Sequence, residues 1–276
     1  MINSLVVHWN ASPFIFTIGS FGIRWYSILF VVGFVLGYYI FQHFFTREGK
    51  PADRLLDPLL YTLAIATLVG ARLGHCLFYD PGYYLGSMEG FKEIFMPWKG
   101  GLASHGGAIA LLLAMWWFSR TYGRKYNFDF LWIMDRLVIT VCFAGAFIRI
   151  GNLFNSEIYG DVTSLPWGFI YERNGETLPK HPTQLYEALS YFILGLCLMW
   201  MYEKKITKLH SGTIFGIFLI VLFGMRFLIE FIKEPQEAFE ENMILNMGQL
   251  LSIPFIVAGV FLLFWSIRKG KPAFRK

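Results

Sequence analysis

The sequence predicts an all-α, polytopic membrane protein with seven transmembrane helices. Three observations carry that prediction. The 276 residues are 55% hydrophobic and 19% aromatic, and mean hydropathy is +0.48. Seven stretches reach the roughly 20 mostly apolar residues that a spanning helix needs: 22–45, 57–78, 101–118, 130–149, 184–202, 212–232 and 247–267. Cation-rich and cation-poor loops alternate between them. This composition excludes a disordered chain and argues against a soluble domain.

The loops orient the spans, because cytoplasmic loops collect Lys and Arg. Arg47, Lys50 and Arg54 follow the first span, and Arg120, Arg124 and Lys125 follow the third. Lys204, Lys205 and Lys208 follow the fifth, and Arg268, Lys269, Lys271, Arg275 and Lys276 form the tail. The opposite side carries only Lys92, Lys99, Arg173, Lys180 and Lys233. The N-terminus is therefore expected outside and the C-terminus in the cytoplasm. The net charge of +5 then anchors the chain to anionic lipid on the inner face, with no sign of nucleic-acid binding. No cation precedes the first span, so a cleavable signal peptide is not expected. Residues 1–21, broken by Pro13 and Gly19, are expected along the outer interface. No internal repeat or second domain is visible, so residues 1–276 are read as one integral membrane domain.

Taken in order, the spans place polar side chains at one level. Arg24 and Tyr26 open the first, and Arg72 and His75 close the second. His105 opens the third, Arg149 and Asn152 end the fourth, and Gln184 and Glu187 open the fifth. Arg226 and Glu230 end the sixth, and Gln249 opens the seventh. The third and fifth spans are the weakest, since each opens with polar residues. With alternating direction, all of these lie toward the outer face; only Asp135 and Arg136 lie toward the cytoplasm. Each has a modest explanation. An arginine near a span end can snorkel, and Gln184 or Gln249 can join helices. His105 can be a satisfied polar residue. Collectively they predict a shared polar cavity near the outer leaflet. An ionisable residue inside a membrane is a functional-site hypothesis by default. Arginine in place of lysine points to a planar anion such as phosphate.

Glycines inside the spans (Gly33, Gly37, Gly70, Gly74, Gly106, Gly107, Gly216, Gly224) predict close helix packing. Residues 79–100 carry Tyr79, Tyr83, Tyr84 and Trp98, an interfacial aromatic belt. In residues 150–183 the alternation Trp167, Phe169, Tyr171 before Asn174-Gly175 signals a hairpin, and a small extramembrane cap. Cys76, Cys142 and Cys197 are isolated and suggest neither zinc nor a disulfide framework.

Three motifs bear on chemistry. His105-Gly106-Gly107 offers the side chain best suited to take a proton near neutral pH. The run from Arg149 to Glu157 sets a cation, amides and a carboxylate at a membrane boundary, which suits the phosphate and hydroxyls of a polyol headgroup. Arg226 and Glu230, at i and i+4, share one helix face, either as an ion pair or with the carboxylate orienting a phosphate-binding arginine.

The chain resembles the bacterial phosphatidylglycerol–prolipoprotein diacylglyceryl transferases over nearly its whole length. The resemblance rests on Arg24-Trp25-Tyr26, on Gly70 to Gly74, on His105-Gly106-Gly107 and on the run Arg149 to Gly160. It continues through His181 to Glu187, Arg226 to Glu230 and Met247 to Pro254. Two departures stand out: Ile148 replaces the family's usual glycine before Arg149, and Asp135 is followed by Arg136-Leu137-Val138 where an Ala-Pro pair is common.

The resemblance implies a transferase of the bacterial inner membrane, with its active site toward the outer face. It implies transfer of a diacylglyceryl group from phosphatidylglycerol to the lipobox cysteine of a preprolipoprotein signal peptide. A thioether forms and glycerol phosphate leaves. His105 is the candidate base for a thiol whose ordinary pKa is near 8.5, unless the arginine field itself lowers that pKa and leaves His105 a positioning role. Arg149 and Arg226 would neutralise the leaving phosphate. Tyr26, Asn152, Glu157 and Glu230 are candidates for the headgroup, with Arg72, His181, Gln184, Glu187 and Gln249 in support. No metal, nucleotide or other cofactor is implied. A transporter or flippase for anionic lipid is the competing class, but one-sided polarity and the lack of a repeat argue against it. A retinal receptor would need a lysine in the last span, and 247–267 has none.

Overall fold

A computed structural model describes residues 6–19, 21–235 and 243–274. Met1 to Leu5 of the expected interfacial segment, and Arg275 and Lys276 of the basic tail, lie outside the described residues. The fold is mostly helical. Strands β1 (Val7–Trp9), β2 (Phe14–Ile18) and β3 (Phe21–Arg24) precede helices α1 (Trp25–Arg47) and α2 (Ala52–Phe78). Short helices α3 (Pro81–Gly86) and α4 (Met88–Ile94) lead to α5 (Ser104–Tyr126) and α6 (Phe130–Asn155). Strand β4 (Phe169–Tyr171), then α7 (Thr183–Lys205), α8 (Thr213–Ile229) and α9 (Met247–Lys269) complete the order.

Six of these helices are long and apolar enough to cross a membrane: α1, α2, α6, α9, α7 with its 3-10 extension to Lys208, and α8 with its extension to Ile232. Their outer surfaces are apolar, with Val31, Val35, Ile65, Leu189, Val257 and Phe261 exposed. Contiguous patches of this kind are rare in water and are the ordinary surface of a helix in lipid. The expected third span forms α5, which at 23 residues equals α1 in length but is less apolar. Ser104-His105-Gly106-Gly107 at one end and Ser119, Arg120, Arg124 and Lys125 at the other dilute it.

Several helices outrun their apolar stretches. The hydrogen-bonded ladder continues into polar residues at the membrane boundary. α2 starts at Ala52 despite Pro58, α5 continues to Tyr126, and α6 continues through the polar run Arg149 to Asn155. The segment between α6 and α7 therefore begins at Ser156, which has φ 55°.

Internal contacts divide the chain into two compact units. The second comprises Phe41–Met134. Its principal contact is α2 against α5, and it is built on glycine. A Cβ on Gly106 would lie 2.3 Å from the Gly70 carbonyl oxygen and 2.6 Å from the Gly74 Cα. In lipid there is no hydrophobic drive between helices, so such close backbone approach supplies the dispersion that joins them. At the other end, Trp132 stacks between Phe45 and Phe128, and its indole donates to the buried Glu48 carboxylate at 3.0 Å.

The first unit comprises the described residues of Met1–Ile40 and Asp135–Phe274. Leu194, Leu198, Ile214, Phe218, Leu219 and Leu222 are buried between its helices. α8 and α9 cross at Gly216 and Gly259, where each glycine's Cβ would meet the other's carbonyl near 3 Å. β2 and β3 form an antiparallel hairpin that leaves Phe16 and Ile18 exposed.

The cap differs from a simple hairpin. β4 pairs in parallel with β1, Val7 opposite Phe169 and Trp9 opposite Tyr171. The chain does turn at Asn174-Gly175, with Gly175 left-handed at φ 76°, and it returns so that Lys180 and Phe169 exchange hydrogen bonds of 2.8 and 2.9 Å. Tyr171, Phe169 and Leu153 form its core against Trp9, Tyr159 and Leu185. The Lys180 ammonium donates to Glu176 at 2.8 Å and to Glu234, and sits 4.9 Å from the Tyr159 ring centre. Burial acts against that ammonium, but its two carboxylate partners outweigh burial and raise its pKa. The Lys180 hydrogen bond holds the Glu176 carboxyl below its ordinary value.

Two outcomes follow from this packing. Gly106→Val should cost the protein about 1–3 kcal/mol by overpacking, read as a lower thermal midpoint in detergent, while Gly224→Val, which meets open space, should not. A carboxyl with a lowered folded pKa contributes stability above its ordinary value and loses it as pH falls. Amide protection at Phe169 and Lys180 should therefore weaken below pH 4.5, the ordinary Glu value, and Glu176→Gln should flatten that dependence.

Candidate active site

The run Arg149 to Glu157 makes its own geometry. Arg149, Asn152 and Asn155 lie on the last turns of α6, and the left-handed residues Ser156 and Ile158 (φ 55° and 61°) fold Glu157 back against them. Asn152 donates to Glu157 Oε1 at 2.7 Å and Asn155 donates to the same oxygen at 3.0 Å. Arg149 Nη1 reaches Asn152 Oδ1 at 3.4 Å. Tyr26 packs on Gly151, where a Cβ would lie 2.8 Å from its ring, and stands within electrostatic reach of Arg149 and Glu157.

Glu187 of α7 is fully buried, at 0% exposure. Its Oε2 lies 2.9 Å from Arg149 Nε, an ion contact too poorly aligned to count as a hydrogen bond. Its Oε1 accepts from Lys233 Nζ at 3.2 Å, and Lys233 also donates to Glu230 Oε2 at 3.1 Å. The Glu230 carboxylate rests on Gly248 of α9, where a Cβ would come within 2.4 Å. Asn246 and Gln249 form the capping box of α9, and Asn246 also donates to the Glu230 carbonyl at 3.3 Å. Arg226 lies close enough to act electrostatically on Glu187 and Tyr191. Among the described residues, Glu230 pairs with Lys233 and not with Arg226. The buried Arg226 Nε and Gln249 Nε2 have no hydrogen-bond partner there.

Two other expected residues serve the cap. Gln184 donates to the Glu157 carbonyl at 2.8 Å and accepts from the Tyr171 hydroxyl at 2.9 Å. His181 Nδ1 lies 3.3 Å from the Tyr186 hydroxyl, which accepts from Trp167 at 2.9 Å.

The second unit holds Arg72, His75 and His105. Arg72 is 4% exposed, and its guanidinium donates to four backbone carbonyls: Ile94 at 3.1 Å, Gly100 at 2.5 Å, Gly101 at 3.2 Å, and Glu93. It neither snorkels nor faces an open anion site. It ties segment 93–101 to α2, and Tyr84 covers it at 5.1 Å. His105 opens α5 between the rings of Phe78 (5.1 Å) and Tyr79 (5.9 Å), and its buried Nε2 has no partner among the described residues. His75 stacks on the same Tyr79 at 5.3 Å.

The pair expected toward the cytoplasm is structural. Asp135 caps α8, accepting from the backbone N–H groups of Gly212 and Phe215 at 2.8 Å each. Arg136 donates to the Ala273 carbonyl at 2.8 Å and lies over Tyr202. Arg24 is exposed and lies over Phe14.

Comparison with known proteins now bears on this arrangement. Residues 13–265 match the family described as Prolipoprotein diacylglyceryl transferase. The chain belongs to that family. It is similar to the phosphatidylglycerol–prolipoprotein diacylglyceryl transferase of Tolumonas auensis, 44% identical over 96% of this chain and 99% of that one. The corresponding protein of Porphyromonas gingivalis is 43% identical over 95% of each chain. That of Bacteroides fragilis is 41% identical over 96% of this chain and 97% of its own.

For a prolipoprotein diacylglyceryl transferase, one residue of the cluster was missed by reading the loops. Lys233 counts in sequence only among the few loop cations of the cation-poor side, yet its side chain is 1% exposed between two carboxylates. Its spacing was the available signal: Arg226, Glu230 and Lys233 stand at i, i+4 and i+7, one helix face. Tyr191, four residues after Glu187, likewise lies against Arg149.

The two arginine readings can be separated. Hydrogen bonds from a charged donor contribute about 1.5–3 kcal/mol each, and lysine cannot reproduce the four-carbonyl fork. Arg72→Lys should raise protease cleavage within 79–101 by about tenfold or more, while Arg149→Lys should leave that segment as resistant as in the parent.

Proposed function

We propose that this chain transfers the diacylglyceryl group of phosphatidylglycerol to the cysteine thiol of a prolipoprotein. The observation that carries the reading is the buried cluster around Glu187, in which Arg149 and Arg226 stand among fixed carboxylates in a member of this transferase family. The acceptor is the lipobox cysteine of the signal peptide. Its thiolate attacks the glyceryl carbon that bears the phosphate ester. The carbon–oxygen bond breaks, a thioether forms, and glycerol phosphate leaves with the electron pair. Arg149 and Arg226 neutralise the departing phosphate, and preorganised charge of this kind is often the largest catalytic contribution. Tyr26, Asn152, Glu157 and Glu230 take the headgroup. His105, whose Nε2 has no partner among the described residues, receives the thiol proton.

We read the chain as a single seven-span domain of the bacterial inner membrane, N-terminus outside, with the cluster toward the outer face. α5 is the seventh crossing. It runs against α2 at backbone distance, and a crossing there separates Lys92 and Lys99 from Arg120, Arg124 and Lys125, as the loop-charge alternation requires.

The test is to incubate the purified protein with phosphatidylglycerol and a lipobox peptide and weigh the peptide. The expected result is a diacylglyceryl mass gain, absent with a Cys→Ser peptide and reduced at least about a hundredfold by Arg149→Ala. Lipid binding without any mass gain would move the reading to a transporter or binding protein. His105→Gln should alter the pH–rate profile; an unchanged profile removes His105 as the base.

A further inference from the structure

We infer that Lys233 is a positioning residue for phosphate recognition: it supplies the counter-charge that keeps Arg149 and Arg226 available to the anionic lipid. The inference rests on the transferase reading above. Two carboxylates, Glu187 and Glu230, are buried beside two arginines. Buried carboxylates need cationic partners. With no other cation present, each would take a guanidinium bidentately, the strongest pairing open to it. Both arginines would then be neutralised by the protein itself.

Lys233 prevents this. Its ammonium bridges Glu187 Oε1 and Glu230 Oε2, at 3.2 and 3.1 Å. Glu187 is left with one oxygen for Arg149, and that oxygen meets only Nε. The rest of the Arg149 guanidinium meets neutral groups: Nη1 reaches Asn152 Oδ1 at 3.4 Å, and the Tyr191 hydroxyl is a further hydrogen-bond partner. Arg226 keeps a buried Nε with no partner among the described residues. Among the buried groups, three cations against two carboxylates leave an excess of one positive charge, with the exposed Glu157 carboxylate at the edge of the cluster, tied to Asn152.

The backbone fixes the lysine in place. Lys233 pairs with Gly160 in an antiparallel bridge, and Asp161 N donates to the Ile232 carbonyl at 2.9 Å. Any side chain at Gly160 would strike that carbonyl, since a Cβ would lie 2.2 Å from it. The end of the Arg149–Gly160 run thus positions the lysine that balances its first residue.

The test uses the full-length protein in phosphatidylglycerol-containing micelles, with peptide and lipid varied separately. Lys233→Met should raise KM for phosphatidylglycerol about tenfold or more, leaving KM for the peptide within about twofold, and Lys233→Arg should restore most of the loss. The deciding variant is Lys233→Met combined with Glu187→Gln, which removes one cation and one carboxylate and so restores the excess of one positive charge. The double variant should bind phosphatidylglycerol more tightly than Lys233→Met alone, by native mass spectrometry as well as by KM. A double variant weaker than Lys233→Met would make the lysine a structural strut and overturn the inference, as would a Lys233→Met protein with unchanged KM for the lipid. A parent protein that retains phosphatidylglycerol but never modifies the peptide would refute the transferase reading, while the binding comparison would still judge the lysine.

Discussion

Glu187 is a carboxylate with no exposed surface in a helix whose other face is apolar. An ion in that position is costly unless paired, and it becomes a liability when one partner is lost. Its partners come from distant parts of the chain: Arg149 from the end of α6 and Lys233 from beyond α8. The electrostatic requirement of one side chain therefore dictates how α6, α7 and the segment after α8 meet. Gly248 gives the Glu230 carboxylate room against α9, Gly151 does the same for Tyr26, and Gln184 ties the returning loop to Tyr171 of the cap. Packing and polarity solve the same problem here.

The cap has a related logic. Its strands are too short to stand alone, with three residues in β1 and three in β4. A two-stranded ribbon of that size is marginal in water. The cap persists because Leu153, at the end of a membrane helix, enters its core, and because the Trp9 indole donates to the Leu153 carbonyl at 3.0 Å. The final turns of α6 thus carry both the polar run and the anchor of the cap, which couples the position of Arg149 to the fold of the segment that follows α6.

Much of this was legible from residues alone. Helical spans follow from hydropathy, because lipid leaves the backbone no partner but itself. The role of the small residues in α2 and α5 also follows from composition. Arg149, Asn152, Glu157, Glu187 and Glu230 stood out as polar residues at span ends, and the fold links them through Asn152 and Lys233, whereas Arg72, expected at the same level, is taken up by backbone carbonyls. The boundaries were less legible: α6 carries helix through Asn155, since the backbone ladder does not stop where apolar side chains do.

By itself the sequence determined the helical, membrane-spanning class and the family, and it named the charged residues worth placing. Only the tertiary structure decided what each charge does. Arg72 and Arg149 look alike as arginines at span ends, but one is spent on four carbonyls and the other meets one carboxylate oxygen and the side chains of Asn152 and Tyr191. Asp135 stood apart in sequence only as a carboxylate away from the other polar residues, and in the fold it caps α8. Lys233 counted only as one loop cation among five and is buried. The physical reason is common to all three. A charge is defined by its partners, and these partners are backbone carbonyls, helix ends and carboxylates brought near only when separate segments pack together.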